Sequence, residues 1–279
     1  MKERICQFGD NRRLLGTLTP AQIGEASKTR ARAILILNAG LVHRVGPHRL
    51  HVKLARHLAA AGYDVLRFDL SGLGDSRPAP AGLGYAAQAV SDVRAALDLM
   101  NREVGHLHAA AIGICAGADN AYRAALADTR LDALAMIDPF AYPNRDAAMR
   151  FQAERLGDAT RWQRLALRSL GFDQPSAMSA PAAHLGTARV EAPLEQFGQD
   201  LATLTGRGVH VRMIYTRFNR QHVSRSAHVR QTFAAFDLHD RLSARAFPQH
   251  GHTFDRLDAQ AELFDDLGNW LTGLPDPVT

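Results

Sequence analysis

Apolar residues are distributed along this chain in two alternating rhythms. Residues 33–37 read Ala-Ile-Leu-Ile-Leu, 109–114 Ala-Ala-Ala-Ile-Gly-Ile and 134–137 Leu-Ala-Met-Ile. Such continuously apolar runs suit strands buried on both faces of a parallel sheet. Residues 65–68, 209–215 and 242–247 predict three more strands. Between them lie stretches with apolar positions at helical spacing. Leu50, Leu54 and Leu58 fall within 48–61, which stops at Gly62, and Ala87, Val90, Val93, Leu97 and Met100 fall within 84–101. Residues 117–127, 223–236 and 257–272 predict further helices. At the amino end, 5–9 and 13–18 flank Gly9-Asp10-Asn11, a hairpin signal. Strand and helix in regular alternation predict an α/β domain with a mostly parallel, doubly wound sheet and helices on both faces.

The rhythm breaks over 141–207, where helical patterns around 149–170 precede a Gly/Pro/Ser/Ala-rich stretch at 171–183. This block is expected to be a helical lid over the carboxyl ends of the strands, where such sheets bind ligands. The core is then 1–140 plus 208–279. Phe151, Trp162, Leu165 and Leu170 in the block pack the lid to the body or face an apolar acyl group.

Composition excludes more than it identifies. With 279 residues, 46 % of them hydrophobic, the chain buries a sizeable core. No apolar run is long enough to cross a bilayer. The opening Met1-Lys2-Glu3-Arg4-Ile5-Cys6 has no signal-peptide character, so a cytoplasmic protein is expected, with Cys6 and Cys115 as free thiols. The net charge of +5 is almost all arginine; Lys2, Lys28 and Lys53 are the only lysines. That Arg- and Ala-heavy usage accompanies GC-rich bacterial genomes. The arginines are interleaved with acids, and no nucleic-acid-binding motif is present.

The most informative segment is Gly113-Ile114-Cys115-Ala116-Gly117, placed between a predicted strand and a predicted helix. A nucleophile on such an elbow occupies a strained backbone conformation, and side chains two residues either side would collide with the turn. The helix beginning there aims free N–H groups and its positive dipole end at the sulfur, favouring thiolate. The competing reading is a small buried apolar residue. A thiolate attacking an acyl carbon needs a proton acceptor and donor. After the last strand comes His250-Gly251-His252-Thr253-Phe254. His252 is the expected base with Phe254 behind it, and His250, closer to the strand end, is expected to be structural or solvent-facing.

An orienting acid is absent from Thr216-Arg217-Phe218-Asn219-Arg220, the loop after the preceding strand. Two candidates stand: Asp138, ending the strand one step earlier, and Asn219, which would orient the ring through its amide oxygen. A carboxylate also stabilises imidazolium, which favours Asp138. The oxyanion hole is expected from the backbone N–H of Ala116 together with Gly40 or Leu41. His43 and Arg44 either grip an anionic group of the substrate or hold their loop through hydrogen bonds. No cofactor is needed. No metal is expected, since His43, His48 and His51 lack a carboxylate or cysteine at ligand spacing.

With these residues assembled, and with Phe68-Asp69-Leu70-Ser71-Gly72-Leu73-Gly74-Asp75-Ser76, the chain resembles the serine aminopeptidase-like branch of the α/β-hydrolases. It is most similar to hydrolases that accompany exosortase systems. Those share an Arg-Val-Gly-x-His-Arg stretch (Arg44, Val45, Gly46, His48 and Arg49) and a cysteine elbow followed by Gly117-Ala118-Asp119. The resemblance covers 5–140 and 209–275. The elbow also resembles those of dienelactone hydrolases and polyhydroxyalkanoate synthases, which use Cys-His-Asp triads. It implies an α/β-hydrolase fold and acyl transfer from a small-molecule or carrier-bound ester or thioester to water. An acyltransferase using the same acyl-cysteine and a non-catalytic binding protein are the alternatives.

Overall fold

The computed structural model describes residues 3–22, 30–80, 82–157 and 189–277. Eight strands form one sheet: β1 (Arg4–Phe8), β2 (Leu14–Thr19), β3 (Arg32–Ile36), β4 (Val65–Asp69), β5 (His108–Ile114), β6 (Leu131–Ile137), β7 (His210–Thr216) and β8 (Leu242–Phe247). Their order is β1-β2-β4-β3-β5-β6-β7-β8. The hairpin β1–β2 adds to β4 antiparallel, and the remaining pairs from β4 to β8 are parallel. The helices are α1 (Leu50–Ala60), α2 (Tyr85–Val104), α3 (Ala116–Ala127), α4 (Arg145–Gly157), α5 (Leu194–Gly206), α6 (Ser226–Thr232) and α7 (Leu257–Thr272).

Alternating side chains of the buried strands feed two separate cores, one per face. Leu35, Ala109, Ala111, Leu134 and Met136 pack with α2, α3 and α5. Ile34, Ile36, Ala110, Ile112 and Ile137 pack with α1 and α7. Chain order reverses at β3, which pairs with β4 on one side and β5 on the other. The loop leaving β3 and the turn leaving β5 therefore stand side by side at the carboxyl edge, the place where a doubly wound sheet opens a crevice.

Three elements depart from the sequence expectation. β6 begins at Leu131 rather than 134, because Asp132 inside it forms a bidentate ion pair with Arg32 of β3 (2.6 and 2.8 Å) and so hides the apolar pattern. The helix expected over 223–236 shortens to α6; Phe233 continues as a turn whose ring packs on Tyr142 and Phe197. The third concerns the 141–207 block. Its last helix, α5, buries Phe197, Leu201 and Leu204 completely in the core shared with α2 and α3. It is the crossover from β6 to β7 and belongs to the α/β body, so an inserted segment ends before residue 194. Trp162, Leu165, Leu170 and the stretch 171–183 lie outside the described residues.

Phe197 is the centre of an aromatic group with Tyr122, Phe140, Tyr142 and Phe233, at centroid distances of 5.0–6.1 Å. Truncating Phe197→Ala is expected to cost about 3–5 kcal/mol, read as a lowered midpoint in urea unfolding at unchanged slope.

Candidate active site

The turn from β5 into α3 is as tight as covalent geometry permits. A Cβ on Gly113 would lie 2.1 Å from the carbonyl oxygen of Gly117, and one on Gly117 would lie 2.3 Å from that of Asn38. Only glycine allows the three backbones to meet this closely. Between them Cys115 adopts φ 56° and ψ −121°, a region non-glycine residues rarely occupy, as the N-cap of α3. Its amide donates to the Ile137 carbonyl (2.9 Å), and its own carbonyl accepts from Ala118 (2.9 Å) and Asp119 (3.3 Å). The side chain is half-buried.

His252, from the loop between β8 and α7, stands close enough to Cys115 for the two side chains to perturb each other's ionisation. Its Nδ1 donates to Asp138 Oδ2 at 2.6 Å. Asp138, at the end of β6, is fully buried with φ 47°. Three further donors fix its carboxylate: the Thr216 amide (2.8 Å), the Thr216 hydroxyl (2.6 Å) and the Asn219 amide (3.2 Å). Asp138 thus holds the ring nitrogen, and Asn219 donates to Asp138. The sulfur, imidazole and carboxylate stand in one chain of interacting groups.

The electrostatics follow from this chain. Burial alone would push the Cys115 thiol up. The hydrogen bond and charge of His252, the charge of Arg189 and the Ala116 amide together outweigh burial, so the thiol lies below its ordinary value. Burial likewise disfavours imidazolium, but Asp138 and Cys115 more than compensate and raise His252 to about 9. Both shifts act toward a thiolate–imidazolium pair. Cys6 is the contrast: burial raises its thiol.

The Ala116 amide, expected in the oxyanion hole, is among the groups that lower the Cys115 thiol. Gly40 has φ 60° and open space where a Cβ would stand, and Leu41 beside it is exposed. The anchoring of this loop is clear: Asn38 donates to the Val42 carbonyl (2.9 Å) and to Asp69 (2.8 Å), and accepts from Leu70 (2.8 Å).

Two expectations need correction. His43 and Arg44 are not free cations for a substrate. Buried Asp69 accepts from the Arg44 backbone and guanidinium, and Asp75 takes both Arg44 (2.8 Å) and His43 (3.0 Å). Desolvating Asp69 without a cation would be costly, and Arg44 supplies that cation. The two residues therefore pin the β3 loop to the glycine-punctuated loop after β4. Asp69, Asp75 and His43 lie within metal-binding distance of one another, but the guanidinium stands against both carboxylates. Second, Phe254 packs on Phe247 and His250, not on His252; the ring against His252 is Phe218, at 4.7 Å. His250 is buried and paired to Glu262 (3.1 Å).

Arg189 was not singled out in the sequence, which offers no local signal for it. It forms a fork onto Asp119 (2.8 Å twice) and donates to the Asp138 carbonyl (3.1 Å). A 470 Å³ cavity lies at the opposite, amino edge of the strands, lined by Arg32, His108, Asp132 and His210.

The sequence matches the model of the family Hydrolase_4 (serine aminopeptidase, S33) over residues 29–266. No curated protein matches it. Among solved structures, an esterase of Pyrococcus furiosus superposes with TM-score 0.61 at 15 % identity, over 97 % of this chain and 89 % of that one. A hypothetical protein of Pseudomonas aeruginosa gives 0.60 at 17 %, over 97 % and 93 %. A Xanthomonas campestris protein described as an α/β serine hydrolase without lid gives 0.51 at 15 %, over 94 % and 91 %. At these identities the likeness is one of fold.

Iodoacetamide at pH 7 is expected to alkylate Cys115 well before Cys6, read by intact mass and peptide mapping. His252→Ala should slow the Cys115 reaction by roughly tenfold or more, since the thiolate loses its cationic partner.

Proposed function

The chain belongs to the Hydrolase_4 family, the serine aminopeptidase S33 group of α/β-hydrolases, and on that premise we propose that it is a cysteine-dependent hydrolase of esters or thioesters. The observation that carries this reading is the strained elbow that holds Cys115 beside His252, whose Nδ1 is bound to buried Asp138. Esterases among the proteins of similar fold, that of Pyrococcus furiosus included, support the substrate class.

In the proposed reaction the Cys115 thiolate attacks the acyl carbon, and the carbonyl oxygen develops negative charge. In this reading the Ala116 amide, at the start of α3, receives it, with Gly40 or Leu41 as second donor. Imidazolium at His252 gives its proton to the departing alcohol or thiol as the tetrahedral adduct collapses. That leaves an acyl-cysteine and neutral imidazole. A water then loses its proton to His252 and attacks the thioester, releasing the acid and restoring the ion pair. Asp138 keeps Nδ1 protonated throughout, so Nε2 is always the working nitrogen; Asn219 and Thr216 keep Asp138 in place.

A thiolate–imidazolium pair suits substrates with good leaving groups, which is why esters and thioesters are preferred to amides here. The same acyl-cysteine serves a transferase when an alcohol, amine or thiol replaces water, and one experiment separates the two. With a p-nitrophenyl acyl ester, wild type should turn over and Cys115→Ala should fall to background. Equal rates in the two would end the covalent account. Intact mass should show an acyl adduct on wild type; release by an added nucleophile but not by water would convert the assignment to transferase.

His252→Ala should lose far more kcat than His250→Ala, by roughly 10²-fold or more, with comparable losses refuting the choice of base. Cys115 must be deprotonated and His252 protonated in the active form. Activity in acylation is therefore expected to rise through the lowered thiol value and to fall again as pH passes about 9. A kcat/KM profile still climbing above pH 10 would contradict the ion pair.

A further inference from the structure

Asp119 closes the Gly117-Ala118-Asp119 sequence that follows the elbow, yet it takes no part in the reaction above. It is buried in the first turn of α3, and its amide donates to the Cys115 carbonyl. Its carboxylate receives both arms of Arg189, from Nε and Nη2, in the planar fork that guanidinium makes with carboxylate. The remaining arm, Nη1, donates to the backbone carbonyl of Asp138, a residue held at positive φ. The same guanidinium lies 4.9 Å from the centre of the Phe140 ring, which fixes its plane. One side chain thus ties together the helix that carries the sulfur and the strand end that carries the carboxylate. It comes from neither: Arg189 belongs to the segment leading into α5.

We propose that Arg189 is a positioning residue of the active site: it clamps the first turn of α3 to the end of β6 and holds a positive charge beside the Cys115 sulfur. The inference rests on the reading of Cys115 as the nucleophile. A cation at this point acts on the resting thiolate, and its charge, like that of His252, lowers the thiol. Its charge survives the pairing because the fork faces Asp119 while the guanidinium still interacts with Cys115. The charged groups facing the site are few. His252 enters from the loop after β8, Asp138 from β6, Asp119 and Arg123 from α3, and Arg189 and Glu191 from the segment before α5. Burial pushes the Asp119 carboxyl up despite its partner. The pair is thus held against a real desolvation cost, which a purely local surface bridge would not meet. By reciprocity, whatever strengthens the thiolate also strengthens docking of the arginine segment. Ionisation of the nucleophile and seating of that segment are one equilibrium.

The test measures the thiol directly, apart from turnover: the rate of Cys115 alkylation by iodoacetamide against pH, with Cys6 as internal control. Arg189→Gln should raise the Cys115 midpoint by about one pH unit, with alkylation below the midpoint slowed roughly tenfold. Asp119→Asn removes an anion and leaves the arginine unneutralised, so its midpoint should stay or fall. A clamp that worked by geometry alone would respond the same way to losing either partner. Because Arg189→Gln strands a buried carboxylate, the double variant Arg189→Gln/Asp119→Asn provides the charge-free comparison. It should lie above Asp119→Asn by a similar shift, with circular dichroism unchanged. An unmoved midpoint in both arginine variants, or a rise in Asp119→Asn matching that in Arg189→Gln, would overturn the proposal. Failure of the hydrolase reading shows instead as turnover that persists in Cys115→Ala, which the alkylation profile does not report.

Discussion

Everything at the carboxyl edge depends on how closely three backbone segments approach at the turn from β5 to α3. The missing side chains of Gly113 and Gly117 let the turn fold back on itself and let the Asn38 carbonyl touch the start of the helix. Cys115 is left at positive φ between them, a conformation that costs of order 1–3 kcal/mol and persists only because its surroundings over-determine it. Those surroundings are the sheet itself. The Cys115 amide is bonded to the end of β6, and the Asn38 loop is fastened to Asp69 after β4. The strain is carried by elements buried on both faces.

The second constraint is desolvation. Cys115, His252, Asp138, Arg189 and Asp119 are all removed from water to a large degree, and burial by itself opposes the charged form of each. The site resolves this by pairing. Asp138 has four hydrogen-bond donors, His252 lies between carboxylate and sulfur, and Arg189 is shared between Asp119 and a carbonyl. The same logic operates at Asp69, where Arg44 compensates a buried carboxylate in a loop that only supports the site. Two cations in similar settings thus compensate buried carboxylates, Arg44 beside Asp69 and Arg189 beside Asp119.

The elbow and the strand rhythm were legible because each is a local matter. A nucleophile between glycines at a strand–helix junction is written in five consecutive residues, and periodicity in ten to fifteen. His252 was legible by position, as the histidine after the last strand. The orienting acid was legible only as a pair of alternatives. Asp138 and Asn219 both stand at carboxyl ends of strands, and the choice turns on which oxygen meets Nδ1 across a separation of 114 residues. The hydrogen-bond chain gives that position to Asp138 and puts Asn219 behind it. Arg44 and Arg189 show the same limit from the other side. One arginine in a motif-like stretch turned out to be committed to a buried carboxylate, and one in an unremarkable stretch reached the site.

What the chain determined on its own was therefore the identity of each element and of the group strained into view at the elbow, since backbone sterics and hydrophobic periodicity act over a few residues. Which charges meet was decided only in the folded sheet. Pairing in a desolvated interior depends on distances between strand ends and crossover segments, and no local pattern encodes them.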